Sequence, residues 1–288
     1  MDIIITGLLL GGTYALIAMG LNLQYGMARI MNLANGELLV VGGFAAFWLF
    51  KVGGVSPYLT IFIVAPLAFV ANWLIYKIML RPLVKRAKSR GKLEVDAILT
   101  TFGISFVAVG LMLAVFGGDY FNYSYLATPV HIFGATYGAN RLSAFLAAVV
   151  ICGALYLWLT FSRTGMAIRA ISVAPDSARL VGIDVPKMAA IAFALGGAVT
   201  ASGGSIVSTF LTLDASTGVM FTLKALVIVI MGGVGDVRGT IVAALLLGIL
   251  ETFVARVIDP GLTLSAAYLV FILILLFRPQ GLFGRAQS

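Results

Sequence analysis

Apolar residues fill this chain in runs long enough to cross a bilayer, and short polar gaps separate them. A membrane-spanning helix takes about 20 mostly apolar residues. Such runs occur at about 3–25, 33–51, 57–80, 97–117, 141–161, 188–210, 222–235, 240–258 and 263–277. The seventh is short and closes on Gly232-Gly233, the mark of a broken or re-entrant helix, so the count is eight or nine. The pattern predicts an all-α polytopic transmembrane helical bundle forming a single domain over residues 1–288.

The polar gaps carry unequal charge. The gap 81–96 holds Arg81, Lys85, Arg86, Lys88, Arg90 and Lys92, and the gap 162–187 holds Arg163, Arg169, Arg179 and Lys187. Arg29, Arg238, Arg278 and Arg285 fall in gaps of the same parity, whereas Lys51, Arg141 and Arg256 flank the opposite side. Cytoplasmic loops carry the excess of Lys and Arg. This split favours nine crossings, with the N-terminus outside and the C-terminus cytoplasmic. Lys77 and Lys224 remain inside apolar runs, and Glu251 could pair with Arg256, although five residues is poor helical spacing.

Composition agrees: 61% of residues are hydrophobic and 10% charged, against roughly 25% charged in soluble domains. The net charge of +8 is explained by topology rather than by a nucleic-acid-binding face, since the basic residues are dispersed between spans. Residues 1–25 lack the positive n-region and cleavage site of a secretory signal, so the first helix is expected to stay.

Catalytic chemistry is missing. A single histidine, His131, and a single cysteine, Cys152, exclude the usual metal clusters and nucleophilic triads. Gly91-Lys92 lacks the upstream glycine of a phosphate-binding loop. If ATP drives this protein, another chain binds it. Small residues four apart (Gly7 and Gly11; Ala194, Ala198 and Ser202; Gly196, Thr200 and Gly204) predict close helix packing.

The segment FSRTGMAIRAISVAPDSARLVGIDVPK, Phe161 to Lys187, is too long for a turn between helices. It predicts two short helices, the first over about Thr164 to Ser172. The second starts at Pro175, with Asp176 in its first turn and Gly182 as a left-handed cap. Two turns are not stable alone in water, so the second helix must lie against something. Ala174, Ala178 and Val181 are small enough for a groove on a partner.

The stretch Arg163-Thr164-Gly165-Met166-Ala167-Ile168-Arg169-Ala170, followed by Asp176, Ala178 and Gly182-Ile183, resembles the cytoplasmic coupling loop of ABC importer permeases. The branched-chain amino acid permeases are the nearest group. Asn32-Leu33-Ala34-Asn35-Gly36-Glu37, Gly232-Gly233-Val234-Gly235-Asp236 and Arg278-Pro279-Gln280-Gly281-Leu282-Phe283-Gly284 agree with that family, so the likeness runs from about 5 to 285. The resemblance implies a permease subunit in a bacterial inner membrane, working by alternating access on branched-chain or related neutral amino acids. It implies no cofactor on this chain, with ATP on two cytoplasmic ATP-binding subunits. A second homologous permease chain and a periplasmic or extracellular substrate-binding protein complete the implied assembly. The coupling loop of about 162–187 would seat on the ATPase through Arg163, Thr164, Gly165, Arg169, Ala170, Asp176, Ala178, Gly182 and Ile183. Asp176 stands where the family usually has glutamate.

Polar residues inside spans are costly and usually face a bundle interior or cavity. Asn32, Asn35, Glu37, Thr100, Thr101, Thr222 and Lys224 are therefore candidates for the substrate pathway, with a kinked backbone around Gly36. Two other readings stand beside this one. Related permeases carry urea, amides or sugars, and a self-sufficient secondary carrier or channel would need coupling-ion or filter residues at the midplane. A membrane-embedded enzyme is disfavoured, since His131 and Cys152 stand alone.

Overall fold

The computed structural model describes residues 2–87, 89–132 and 134–284; Lys88 and Arg285 of the charge pattern lie outside them. Helix α1 (Asp2–Leu21) continues through a π-helical stretch, Asn22–Met27. At 1.5 Å per residue the pair spans about 39 Å, more than a hydrocarbon core. Then come α2 (Asn35–Gly53), α3 (Pro57–Ile75) with a π-helical extension to Leu80, α4 (Arg81–Arg86) and α5 (Arg90–Phe116). Strands β1 (Pro129–Ile132) and β2 (Ala135–Gly138) form a small antiparallel hairpin, with Val130 opposite Tyr137. Next are α6 (Ala139–Phe161), α7 (Arg163–Val173) and α8 (Pro175–Leu180). The chain closes with α9 (Val185–Val207), α10 (Thr217–Gly232), α11 (Val237–Val257) and α12 (Thr263–Phe277).

Among the described residues, eight helices are long and apolar enough to cross a membrane, and α10 is a shorter apolar helix. Two polar segments between spans are structured. The gap 81–96 is mostly helical, because α4 carries the preceding span onward and α5 begins at Arg90. The run after Phe116 pairs through an isolated bridge between Phe121 and Leu213 and then carries the hairpin.

The bundle has two ends. At one, Asp2 pairs with Arg256, Asn140 Nδ2 donates to the Thr209 carbonyl (3.3 Å), and Phe121 and Leu213 exchange backbone bonds. At the other, Gly235 N donates to Asn22 Oδ1 (2.8 Å), and Leu282 and Phe283 N donate to the Met231 and Gly232 carbonyls. The chain re-enters from the first end after α9, and α10 then runs from within the bundle to the second end, so the chain crosses instead of turning back. Both termini of the described chain accordingly lie at opposite ends.

At the centre, α9 is buried almost along its length, against α1, α2 and α3. Its small residues allow this, because in lipid close backbone approach and packing hold helices together. Helices α1 and α11 meet closely too. A Cβ at Gly7 or Gly11 would collide with the backbone of Ile249 or Leu245. Outer helices show apolar side chains all round, such as Phe62, Phe106 and Leu276, as lipid-facing helices do. Tyr123 and Tyr125 close the loop end by packing on Phe50 (ring centroids 5.1 and 5.6 Å). Burial pushes the Tyr123 hydroxyl up to about 12.

Candidate functional site

Helices α2 and α10 begin inside the bundle, not at its ends. After α1 the chain reverses at Arg29, whose φ of 58° lies in the left-handed region that non-glycine residues rarely adopt. Residues 30–34 then run back alongside α1 as irregular backbone. Such backbone is tolerated at this depth only where protein satisfies its polar groups, and here side chains do so. Asn32 Nδ2 donates to Gln24 Oε1 (2.9 Å), and its Oδ1 accepts from Ala34 N (3.0 Å). Gln24 Nε2 in turn donates to the Phe193 carbonyl (3.2 Å). Thr101 Oγ1 on α5 accepts from Leu33 N (3.1 Å).

The two helix starts face one another. Gly36 N donates to Thr222 Oγ1 (2.8 Å), and a Cβ at Gly36 would overlap the Gly218 carbonyl. Only glycine permits this approach. Asn35 is fully buried; its Oδ1 accepts from Thr200 Oγ1 (2.9 Å) and its Nδ2 reaches the Ile17 carbonyl (3.4 Å). Glu37, 1% exposed, accepts at Oε1 from Ser105 Oγ (2.8 Å), and its Oε2 is buried without a hydrogen-bond partner among the described residues. Asn32, Asn35, Glu37, Thr101 and Thr222 are thus one joint between α2, α5, α9 and α10. Gln24, Ser105 and Thr200 complete it. Sequence reading does not assign these three to the pathway: Thr200 stands there only in a small-residue packing row, and nothing local marks Gln24 or Ser105 as facing the joint.

Thr100 and Lys224 do not join. Thr100 Oγ1 donates back to the Asp96 carbonyl (2.8 Å) within α5. Lys224 sits in a separate buried cluster. Its Nζ donates to Glu251 Oε2 (2.9 Å) and to Tyr14 OH (2.7 Å), and Tyr14 OH donates to the same carboxylate oxygen (2.6 Å). Glu251 therefore does not pair with Arg256. It faces into the bundle, whereas Arg256, at the end of α11, reaches Asp2.

The segment 162–187 forms helices α7 and α8. Ser162 caps α7 by accepting from Gly165 N (2.9 Å), and a Cβ at Gly165 would strike the Trp158 carbonyl and Leu159 backbone. Ile168 and Ile171 turn inward, Ala170 packs partly buried beside them, and Arg169 Nη2 donates to the Thr160 carbonyl (3.2 Å). Arg163 is exposed and Thr164 half-buried. Gly182 stops α8 at φ 80°, with Ile183 N bonding the Ala178 carbonyl (3.1 Å). Ala178 is buried against the chain itself, so it is not offered to a groove. The apolar groups offered instead are Leu180 (89% exposed), Val181 (76%) and Val173 (70%). Asp176 is exposed beside Arg179, at 3.7 Å.

A single side chain ties this segment to the buried joint. Arg29 Nη2 donates to the carbonyls of Ser172 (2.8 Å) and Val173 (3.3 Å), at the C-terminus of α7. A cation there suits the negative end of the helix dipole. The C-terminus of α7 is thereby bonded to the turn that leads into residues 30–34.

A sequence profile described as "Branched-chain amino acid transport system / permease component" matches residues 3–278. The chain belongs to that permease family. The high-affinity branched-chain amino acid transport system permease protein LivH of Escherichia coli (strain K12) is 25% identical, the alignment covering 98% of this chain and 94% of the relative. BraD of Pseudomonas aeruginosa, described in the same words, is 26% identical over 99% and 95%. A probable branched-chain amino acid transport permease protein LivH of Methanocaldococcus jannaschii is 27% identical over 93% and 88%. The permease is thus a multi-pass membrane transport subunit, not an enzyme, and works with other components of a transport system.

Proposed function

We propose that the permease carries branched-chain amino acids inward, driven by ATP bound on two partner subunits that seat on α7 and α8. The carrying observation is the Arg29 link, since it joins an exposed two-helix segment to the irregular stretch that leads into the buried start of α2. In this reading Arg163, Thr164, Gly165, Arg169, Ala170, Asp176, Ala178, Gly182 and Ile183 shape the docking element, and Leu180 and Val181 enter the partner. The joint of Asn32, Asn35, Glu37, Thr101 and Thr222 is closed in this conformation, and parting it exposes those polar groups to the substrate. Broken helices serve substrates in this way, by offering helix ends and free backbone at membrane depth. A second permease chain would complete the pathway, and a binding protein would deliver substrate outside. The basic residues gathered at the end carrying α7 and α8 support a cytoplasmic position for it, with the N-terminus outside and the C-terminus inside a bacterial plasma membrane.

The test is reconstitution of the permease with its co-purified subunits in proteoliposomes. Leucine uptake and ATP hydrolysis are measured together in a variant carrying Asp176→Trp and Gly182→Val. The expected result is at least a tenfold loss of uptake per ATP hydrolysed, with normal insertion. Full coupled transport in that variant would refute the docking role, and transport by the single purified chain would refute the ATP-driven reading altogether.

A further inference from the structure

We infer that the permease holds an anionic phospholipid in a groove between α3 and α9, at the end of the bundle that carries α7 and α8. The groove has a volume of about 560 Å³, within the roughly 300–1,000 Å³ of small-molecule sites. Its walls are apolar: Val70 and Trp73 from α3, Ala190 and Ile191 from α9. Its rim is basic, with Lys77 and Arg81 on one side and Lys187 on the other. All three are exposed, and among the described residues none is in an ion pair.

The rim is built by the backbone. The π-helical stretch Tyr76–Leu80 follows α3 directly and sets Lys77 one turn before Arg81. Lys77 Nζ lies over the Trp73 ring, 4.7 Å from its centroid, so the cation is held at the groove mouth. Beyond Arg81 the groove opens into a second depression of about 420 Å³, lined further by Lys85 and Arg86. One carboxylate also lines the groove, Asp184. Its Oδ1 accepts from Lys187 N (3.1 Å) and caps α9, so it is committed to the helix start.

An apolar slot capped by five basic side chains and one acidic one matches a molecule with a hydrocarbon body and a negative head. Ordinary topology places basic residues at this end of a span, but does not seat them on an apolar slot. Basic pockets between spans on the cytoplasmic side suit phosphate head groups, and that leaflet is the anionic one. A free anion would have no use for the walls, and a zwitterionic lipid would have no use for the rim. The occupant is therefore a phospholipid whose head group carries net negative charge.

Trp73 is the reporter, with the other two of three tryptophans removed as Trp48→Phe and Trp158→Phe. The full-length permease with its co-purifying subunits is placed in vesicles of rising content of brominated phosphatidylglycerol or brominated phosphatidylcholine. The expected result is half-maximal quenching at an at least tenfold lower mole fraction of the anionic lipid. Replacing Lys77, Arg81 and Lys187 together by Gln should remove that preference, by roughly fivefold per side chain, while leaving the melting temperature unchanged. Inorganic phosphate at millimolar levels should not compete. Equal quenching by both lipids, a preference that survives the triple replacement, displacement by phosphate alone, or no quenching by either lipid would each overturn the proposal; the last would mean that protein covers the groove.

Discussion

Lys224 is the residue whose surroundings most limit what can be changed. It is a partly buried cation whose charge is balanced by the buried Glu251 and steadied by Tyr14. Removing one partner of a buried pair strands the other and costs about 3–5 kcal/mol, whereas replacing both by apolar groups is often neutral. Lys224→Met and Glu251→Leu should each lower the melting temperature of the purified permease sharply, and the double variant should regain most of the loss. Additive losses in the double variant would show that the pair is not what holds these helices. The sequence showed Lys224 as an intramembrane charge, but not its partner. The pairing joins helices 27 positions apart and draws in a third, so no local spacing announces it. Glu37 is the opposite case: its clustering with Asn32 and Asn35 in six consecutive residues was legible, and the structure keeps them together.

Among the elements, the short ones carry the argument. The start at Pro175, the stop at Gly182 and two helices in place of a loop all follow from fixed φ at proline and free φ at glycine, and the structure has each of them. The polarity of the docking surface was not legible, because which face of α8 is covered depends on α7 and α9 rather than on α8 itself. Arg29 tests whether α7 moves with the joint. Arg29→Gly relieves the positive φ but removes the guanidinium that holds the α7 carbonyls. If the turn alone mattered, this variant would be silent. The expected outcome is instead a several-fold fall in leucine uptake per ATP hydrolysed, with Arg29→Lys partly restoring it.

For the whole molecule, the eight membrane-length helices and the shorter α10 among the described residues put Leu126 and Leu180 at opposite ends. Both are exposed, and the native Cys152 is buried, so single cysteines can be read without interference. In a Cys152→Ala background, Leu126→Cys should react with a membrane-impermeant maleimide in intact cells, and Leu180→Cys only after the membrane is opened. The reverse pattern would invert the topology. The order of the long spans was legible because lipid demands long apolar runs, while the short run at 222–235 left the count at eight or nine. The depth at which α2 and α10 start was not, because it is set by Asn35 meeting Ile17 and Thr200 in other helices. The ion cluster also bears on how the chain is made. Helix α10 has 16 residues and a lysine, so it is too short and too polar to leave the translocation machinery by itself: a central Lys costs about 2.5–3.5 kcal/mol there. Its counter-charge is synthesised later, on α11. The two helices must therefore enter the bilayer as a hairpin, with α10 waiting for α11. In the same labelling assay, Glu251→Leu should leave part of the population with Val234→Cys stranded outside, a defect of biogenesis separate from the lower melting temperature of the chains that do insert.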